Sequence, residues 1–265
     1  SLVGSRTGGH MGLVEYTVAD GVGTITLARP PVNALNGELI DAIDGAIDQA
    51  ADPSVRAVVI TGAPHFAAGA DISGFRAAQA NGVSDGLASH LESVVAHLEA
   101  LEKPTIAAIT GYALGGGLEL AMGADFRYLG AGAKVGQPEV LLGIIPGAGG
   151  TQRLARLVGP QRCLELCYTG RQVGAEEALD LGIADKVVAD ADVLTTALAD
   201  AATFAAGPTR AYAAIKKAVR DGFGRPLEDG LRIEAEGFTD VFGTDDAKAG
   251  VEAFLAKEKA SFSGS

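Results

Sequence analysis

Residues 111 to 119, Gly-Tyr-Ala-Leu-Gly-Gly-Gly-Leu-Glu, constrain the fold of this chain more than any other stretch. The apolar run Thr105-Ile106-Ala107-Ala108-Ile109 before them reads as a buried strand, and Leu118-Glu119-Leu120-Ala121-Met122 opens a helix. Between the two, three consecutive glycines strip the turn of side chains, so a ligand can lie against the backbone. Gly116 and Glu119 stand three residues apart and share a helix face. The first amides of a helix have no acceptor within it and carry the positive end of its dipole, which suits a developing oxyanion. The plain alternative is close helix packing with a glutamate that complements the dipole, and these nine residues alone leave both readings open.

A second stretch has the same design. His65-Phe66-Ala67-Ala68-Gly69-Ala70-Asp71-Ile72 follows an apolar run at 55–61 that contains Val58, Val59 and Ile60 and reads as a buried strand. Small residues again line the exit of a strand, and Asp71 is placed to cap the next helical turn. Further on, Gln137-Pro138-Glu139 supplies a second carboxylate. Two carboxylates beside a row of free amides make an acid/base site.

Taken together, Phe66-Ala67-Ala68-Gly69-Ala70-Asp71, the stretch from Gly111 through Glu119-Leu120-Ala121, and Gly136-Gln137-Pro138-Glu139 with Gly147-Ala148-Gly149-Gly150-Thr151-Gln152-Arg153-Leu154 resemble the enoyl-CoA hydratase, or crotonase, family. The resemblance runs from Val14 to Phe262 and takes in Arg29-Pro30, Asn33-Ala34-Leu35-Asn36 and Ala253-Phe254. It implies an α/β fold: a crotonase-like core of repeated ββα units over 12–200 and a helical region over 201–262 used in trimerisation, giving a homotrimer or a dimer of trimers. It implies that the amides of Ala70 and Gly116 form an oxyanion hole for a thioester carbonyl. Glu119 and Glu139 would hold and activate water, while Ala68, Ala70, Asp71, Ile72, Ser73 and Gly116 would line the acyl-CoA.

Both acidic positions are filled, as in the family's hydratases and unlike many of its isomerases. The resemblance therefore implies reversible addition of water to a trans-2-enoyl-CoA, giving a 3-hydroxyacyl-CoA, in fatty-acid β-oxidation or related acyl-CoA metabolism. The alternatives are a Δ3,Δ2-enoyl-CoA isomerase and, from another class, a non-catalytic acyl-CoA-binding protein. No cofactor is expected, since coenzyme A belongs to the substrate, and the expected location is cytoplasmic. Three departures fall near the acyl-CoA walls. The loop Pro31-Val32-Asn33 is one residue shorter than in many hydratases, the segment 76–89 is slightly longer, and Ser73-Gly74 stand where a lysine often follows Gly69-Ala70-Asp71.

Composition bounds the rest. A chain of 265 residues with 48% apolar content can bury one large core, and reads as a soluble globular protein. The net charge of -12 argues against a nucleic-acid partner, which needs a basic stripe. No apolar run reaches membrane-spanning length, and no secretory segment is evident. Cys163 and Cys167 lie four apart on one face of an expected helix, a poor geometry for a disulfide, and no further cysteine or histidine cluster completes a metal site. They read as core or surface thiols. Gly147-Ala148-Gly149-Gly150-Thr151 resembles a phosphate loop but lacks its lysine, and reads as structural.

Along the chain, 14–18 and 23–27 read as a hairpin, 37–50 and 87–101 as helices. Beyond Arg153 the reading turns helical, over 161–168, 175–181, 193–205, 208–221, 226–242 and 245–257, with Pro208 and Pro226 at helix starts where a missing amide hydrogen does no harm. Residues 1–11 are polar and glycine-rich and read as a disordered or expression-derived tail outside the fold.

Overall fold

The computed structural model of the protein describes residues 12–74 and 86–265. The tail 1–11 and most of the segment 76–89 lie outside the described residues. Strands β1 (Val14–Ala19) and β2 (Val22–Leu27) pair antiparallel, as their alternation predicts. Asp20 and Gly21 make the turn with φ of 50° and 77°, the left-handed conformations that a two-residue hairpin needs. Helix α1 (Gly37–Ala50) starts where the Asn36 side chain accepts a hydrogen bond from the Leu39 amide at 3.0 Å. It buries Leu39, Ile40, Ile43, Ala46, Ile47 and Ala50, a stripe at helical spacing. Each fully buried Leu or Ile contributes about 1.5–3 kcal/mol before ordering entropy is counted.

Four parallel strands extend the hairpin: β3 (Ala57–Gly62), β4 (Thr105–Ile109), β6 (Phe126–Gly130) and β9 (Lys186–Val188), in the order β1-β2-β3-β4-β6-β9. Alternation along the central strands serves two cores. Val58, Ile60, Ala107 and Ile109 join α1 and α2 (Leu87–Ala100) on one face, while Ala57, Val59, Ile106 and Ala108 meet α7 (Val193–Ala205) on the other. The buried stripe of α7 is Ala197, Ala201 and Ala205, small enough for the helix to lie close on the sheet.

A smaller sheet, β5 (Tyr112–Leu114), β7 (Lys134–Gly136) and β8 (Val173–Gly174), stands beside the turn into α3 (Gly116–Met122). Helices α4 (Gly150–Val158), α5 (Pro160–Thr169) and α6 (Ala175–Asp180) follow the site, and α8 (Thr209–Gly222), α9 (Leu227–Phe242) and α10 (Asp245–Ala256) end the chain. The α8–α10 helices, with Phe223 just after α8, leave large apolar side chains in solvent, among them Ile215, Val219, Phe238, Phe242 and Phe254.

The late helices lie within a residue or two of their expected positions, because their apolar spacing is regular. The stretch after Arg153 is not wholly helical, however: β8 and β9 interrupt it. With two and three residues they are too short to show a period, and β9 forms only because β6 offers it an edge. The division at 200 and 201 falls inside α7, whose buried stripe belongs to the core, so the helices that leave the core begin with α8. Among the described residues no helix is long and apolar enough to cross a membrane.

Candidate active site

The strand exit at 66–71 is held between two other segments. On one side the Phe66 amide donates to the Thr110 carbonyl, the Ala67 amide to the Tyr112 carbonyl, and the Leu114 amide to the Ala67 carbonyl, at 2.9–3.1 Å. On the other the Ala68 amide donates to Val32, the Leu35 amide to Gly69, and the Asp71 amide to Leu35, at 2.7–3.0 Å. Since the groups of Gly69 and Asp71 turn toward Leu35, the intervening Ala70 amide is directed the other way, as alternation along an extended chain requires. It donates to no acceptor among the described residues.

That side holds the triple glycine. Gly115 has φ of 53°, and a Cβ built on it would stand 2.8 Å from Glu139 Oε1. A Cβ on Gly117 would stand 2.0 Å from the Ala67 carbonyl oxygen, so only glycine lets the two strand exits meet. Gly116 is the first residue of α3, where amides have no partner within the helix. A Cβ on Gly116 would lie 4.0 Å from Glu119 Oε2. The turn thus runs between the two carboxylates, with Glu139 against Gly115 and Glu119 near Gly116.

The two carboxylates are held differently. Glu119 is 3% exposed, and its Oε1 accepts the amides of Ala148 at 2.8 Å and Gly150 at 2.7 Å, which leaves Oε2 without a protein donor among the described residues. Burial raises its pKa above the usual carboxylate range, against the pull of those two amides and of Arg153. Glu139 lies in the turn 138–142 and is half-buried. Burial, with the charge of Glu119 adding to it, pushes its pKa up to about 7. The fully buried Gln137 ends beside it, and with its amide nitrogen facing the carboxylate it donates to both oxygens at 2.9 and 3.1 Å.

Sequence reasoning missed the support of these groups. The loop 147–151 is part of the site, because its backbone clamps Glu119, and Arg153 braces that loop. One Arg153 nitrogen donates to the Ala148 carbonyl at 3.2 Å and another pairs with Glu99 at 2.8 Å. Backbone donors have no side-chain signature, so the only advance signal was the pair Gly149-Gly150 itself. A Cβ on Gly150 would come 2.8 Å from Glu119 Oε1.

Residues expected along the ligand mark an outer cleft. Asp71 Oδ1 accepts from the Ser73 amide at 3.1 Å, the cap its position predicts, and Oδ2 pairs with Arg29 at 2.7 Å. Hydrogen bonds from Ser73 and Arg29 hold the Asp71 carboxyl below its usual range. Arg29, Asn36, Asp71, Ser73 and His90 line a cavity of about 540 Å³. Ile72 and Ser73 are exposed, and Ala68 faces Val32 through its amide. Among the described residues no three His, Cys, Asp or Glu side chains are grouped to hold a metal.

Two raised carboxylates flanking a side-chain-free turn with free amides can carry acid/base work on a substrate that develops negative charge on oxygen. The pattern of the enoyl-CoA hydratase/isomerase family matches residues 17–265. The chain is 40% identical over 243 residues to a short-chain-enoyl-CoA hydratase of Clostridium acetobutylicum, covering 90% of this chain and 92% of that protein. It is 41% identical over 237 residues to a crotonyl-CoA hydratase of Syntrophomonas wolfei, covering 87% and 90%. The crystal structure of an enoyl-CoA hydratase from Bacillus anthracis superposes with a TM-score of 0.88 at 34% identity, covering 96% of this chain and 100% of that one. The chain belongs to the enoyl-CoA hydratase/isomerase family.

Proposed function

We propose that the protein is an enoyl-CoA hydratase that adds water reversibly to the double bond of a trans-2-enoyl-CoA. The observation that carries the reading is the turn 115–117 lying between Glu119 and Glu139, with both carboxyl pKa values raised. Addition of water puts negative charge on the thioester oxygen as an enolate. In this proposal the amides of Ala70 and Gly116 receive that charge, and a single donor of this kind is worth about 2.7–4 kcal/mol of barrier. Glu119 Oε2 takes a proton from water, and Glu139 gives one to the α-carbon. The coenzyme A moiety runs from Ala68 along Asp71, Ile72 and Ser73, and the reading calls for no cofactor. The similarly named relatives support this assignment over an isomerase.

The proton count sets the pH profile. Hydration starts with Glu119 ionised and Glu139 protonated and ends with the proton exchanged between them. Dehydration therefore also needs one proton on the pair, and the two directions share their limbs. Below the pKa of Glu119 the base is lost; above about 7 the proton on Glu139 is lost. Hydration of crotonyl-CoA, followed by loss of the enoyl absorbance, is expected to give a bell-shaped kcat/KM that falls about tenfold per pH unit beyond its alkaline limb, and the reverse reaction to give the same limbs. Absence of turnover across that range sinks the hydratase reading.

Assembly belongs to the same proposal. The solvent-facing apolar side chains of α8–α10, with an apolar groove of about 340 Å³ that includes Val241, Val251, Phe254 and Leu255, support a trimer or a dimer of trimers that covers them. Light scattering at micromolar concentration is expected to give the mass of three or six chains. A stable monomer removes the inference.

A further inference from the structure

Gln137 stands between strand β7 and the turn that carries Glu139, and it is fully buried. One terminal atom of its side-chain amide meets both Glu139 oxygens, at 2.9 and 3.1 Å. The other lies beside Gly150, where a Cβ would come 2.9 Å from it and 2.8 Å from Glu119 Oε1. The Gly150 amide is one of the two that clamp Glu119. A neutral amide therefore reaches from Glu139 to the clamp on Glu119, with its oxygen at one end and its NH₂ at the other. An ionised Glu139 can only accept and takes the NH₂, whereas a protonated Glu139 has a proton to donate and takes the oxygen. The two ends are nearly equal in size, and rotation about the last side-chain torsion exchanges them without displacing a neighbour.

We propose that Gln137 is a positioning residue for the carboxylate pair, and that its amide turns over when the proton held by the pair changes side, so that the NH₂ faces the glutamate that is ionised. Hydration starts with the NH₂ toward Glu119 and the amide oxygen accepting from protonated Glu139. When that proton leaves for the α-carbon and Glu119 takes one from water, the NH₂ turns to Glu139. Gln137 itself neither gains nor loses a proton. With both glutamates ionised the NH₂ goes to Glu139, because Glu119 Oε1 already accepts two amides. Among the described residues the titratable groups that face Glu139 are Glu119 on α3 and Cys167 on α5. Burial, with Cys163 and the glutamates adding to it, pushes the Cys167 thiol up to about 12, so it stays neutral. Arg153 on α4 acts on Glu119 and is engaged with Glu99. The answer to a charge on Glu139 therefore falls to the amide. A hydrogen bond to an ionised oxygen is about twice as strong as one between neutral groups. Gln137 thus favours ionised Glu139, against the burial that raises its pKa. Without the amide, Glu139 holds its proton more tightly and gives it to carbon more slowly.

The catalytic consequence rests on the hydratase reading; the exchange of hydrogen bonds with the Glu139 proton does not. The full chain, labelled with ¹⁵N-glutamine, is taken through a pH titration while two signals are followed. One is the infrared band of the protonated carboxyl that Glu139→Gln lacks, and the other is the side-chain NH₂ resonance that Gln137→Leu lacks. Both are expected to change with a single midpoint at about pH 7. In Gln137→Leu the carboxyl midpoint and the alkaline limb of kcat/KM for crotonyl-CoA should both rise by about one pH unit. With them kcat should fall by up to about tenfold while KM stays within a few-fold. Should circular dichroism show Gln137→Leu misfolded, the unbranched Gln137→Met decides in its place. A Gln137 that served packing alone would lower the rate at every pH and leave both midpoints where they were. That outcome, or an NH₂ resonance that ignores the carboxyl titration, overturns the proposal. A chain in which both signals move together yet crotonyl-CoA is never hydrated overturns the hydratase reading and upholds the turning amide.

Discussion

Glu119→Gln is expected to lower crotonyl-CoA hydration by about 10²- to 10⁴-fold while thioester binding stays within a few-fold. Shape is retained because the carboxylate is held by one oxygen only. Oε1 accepts from Ala148 at 2.8 Å and from Gly150 at 2.7 Å, and a glutamine carbonyl can accept both bonds unchanged. The new NH₂ then occupies the place of Oε2, the oxygen nearer Gly116 and the one proposed to take the proton from water. An amide nitrogen there cannot act as a base. Loss therefore belongs in kcat, and calorimetric titration with a coenzyme A thioester separates it from a loss of binding. A variant retaining more than about a tenth of the wild-type rate would remove Glu119 from the role, since general-base catalysis is worth more than that.

How far the sequence shows this site depends on which part of a residue does the work. Glu119 and Glu139 are legible because a carboxylate is a chemical statement, and the glycines at 115–117 because their lack of side chains is one too. The clamp on Glu119 is not legible, because Ala148 and Gly150 act through amides that every residue but proline has. Gln137 and Arg153 were visible as letters, but their partners lie across the fold. The strands show the same limit. The run at 105–109 is apolar on both faces and declares itself, whereas Lys186–Val188 becomes a strand only beside β6.

The division of labour between the carboxylates gives the second large effect. With Glu139 delivering the α-proton, hydration in D₂O should place one deuterium on the α-carbon of the product, and Glu139→Gln should abolish that labelling together with hydration, again by about 10²- to 10⁴-fold. Residual isomerisation of a 3-enoyl-CoA moves a proton between carbons and needs no activated water. It should survive Glu119→Gln about tenfold better than Glu139→Gln. The asymmetry has a structural source: Glu139 lies against Gly115, half-buried, with its carboxyl pushed up to about 7, so it can hold a proton near neutral pH and release it. Glu119 is fixed through one oxygen by two amides, which favour its ionised form and leave the other oxygen for water. Because each carboxylate feels the other's charge, they titrate as a pair, and the assignment can fail in one specific way. Equal loss of isomerisation in both variants, with thioester binding intact, would mean that either glutamate can carry the shared proton to carbon. The turn between them would then separate two positions but not two roles.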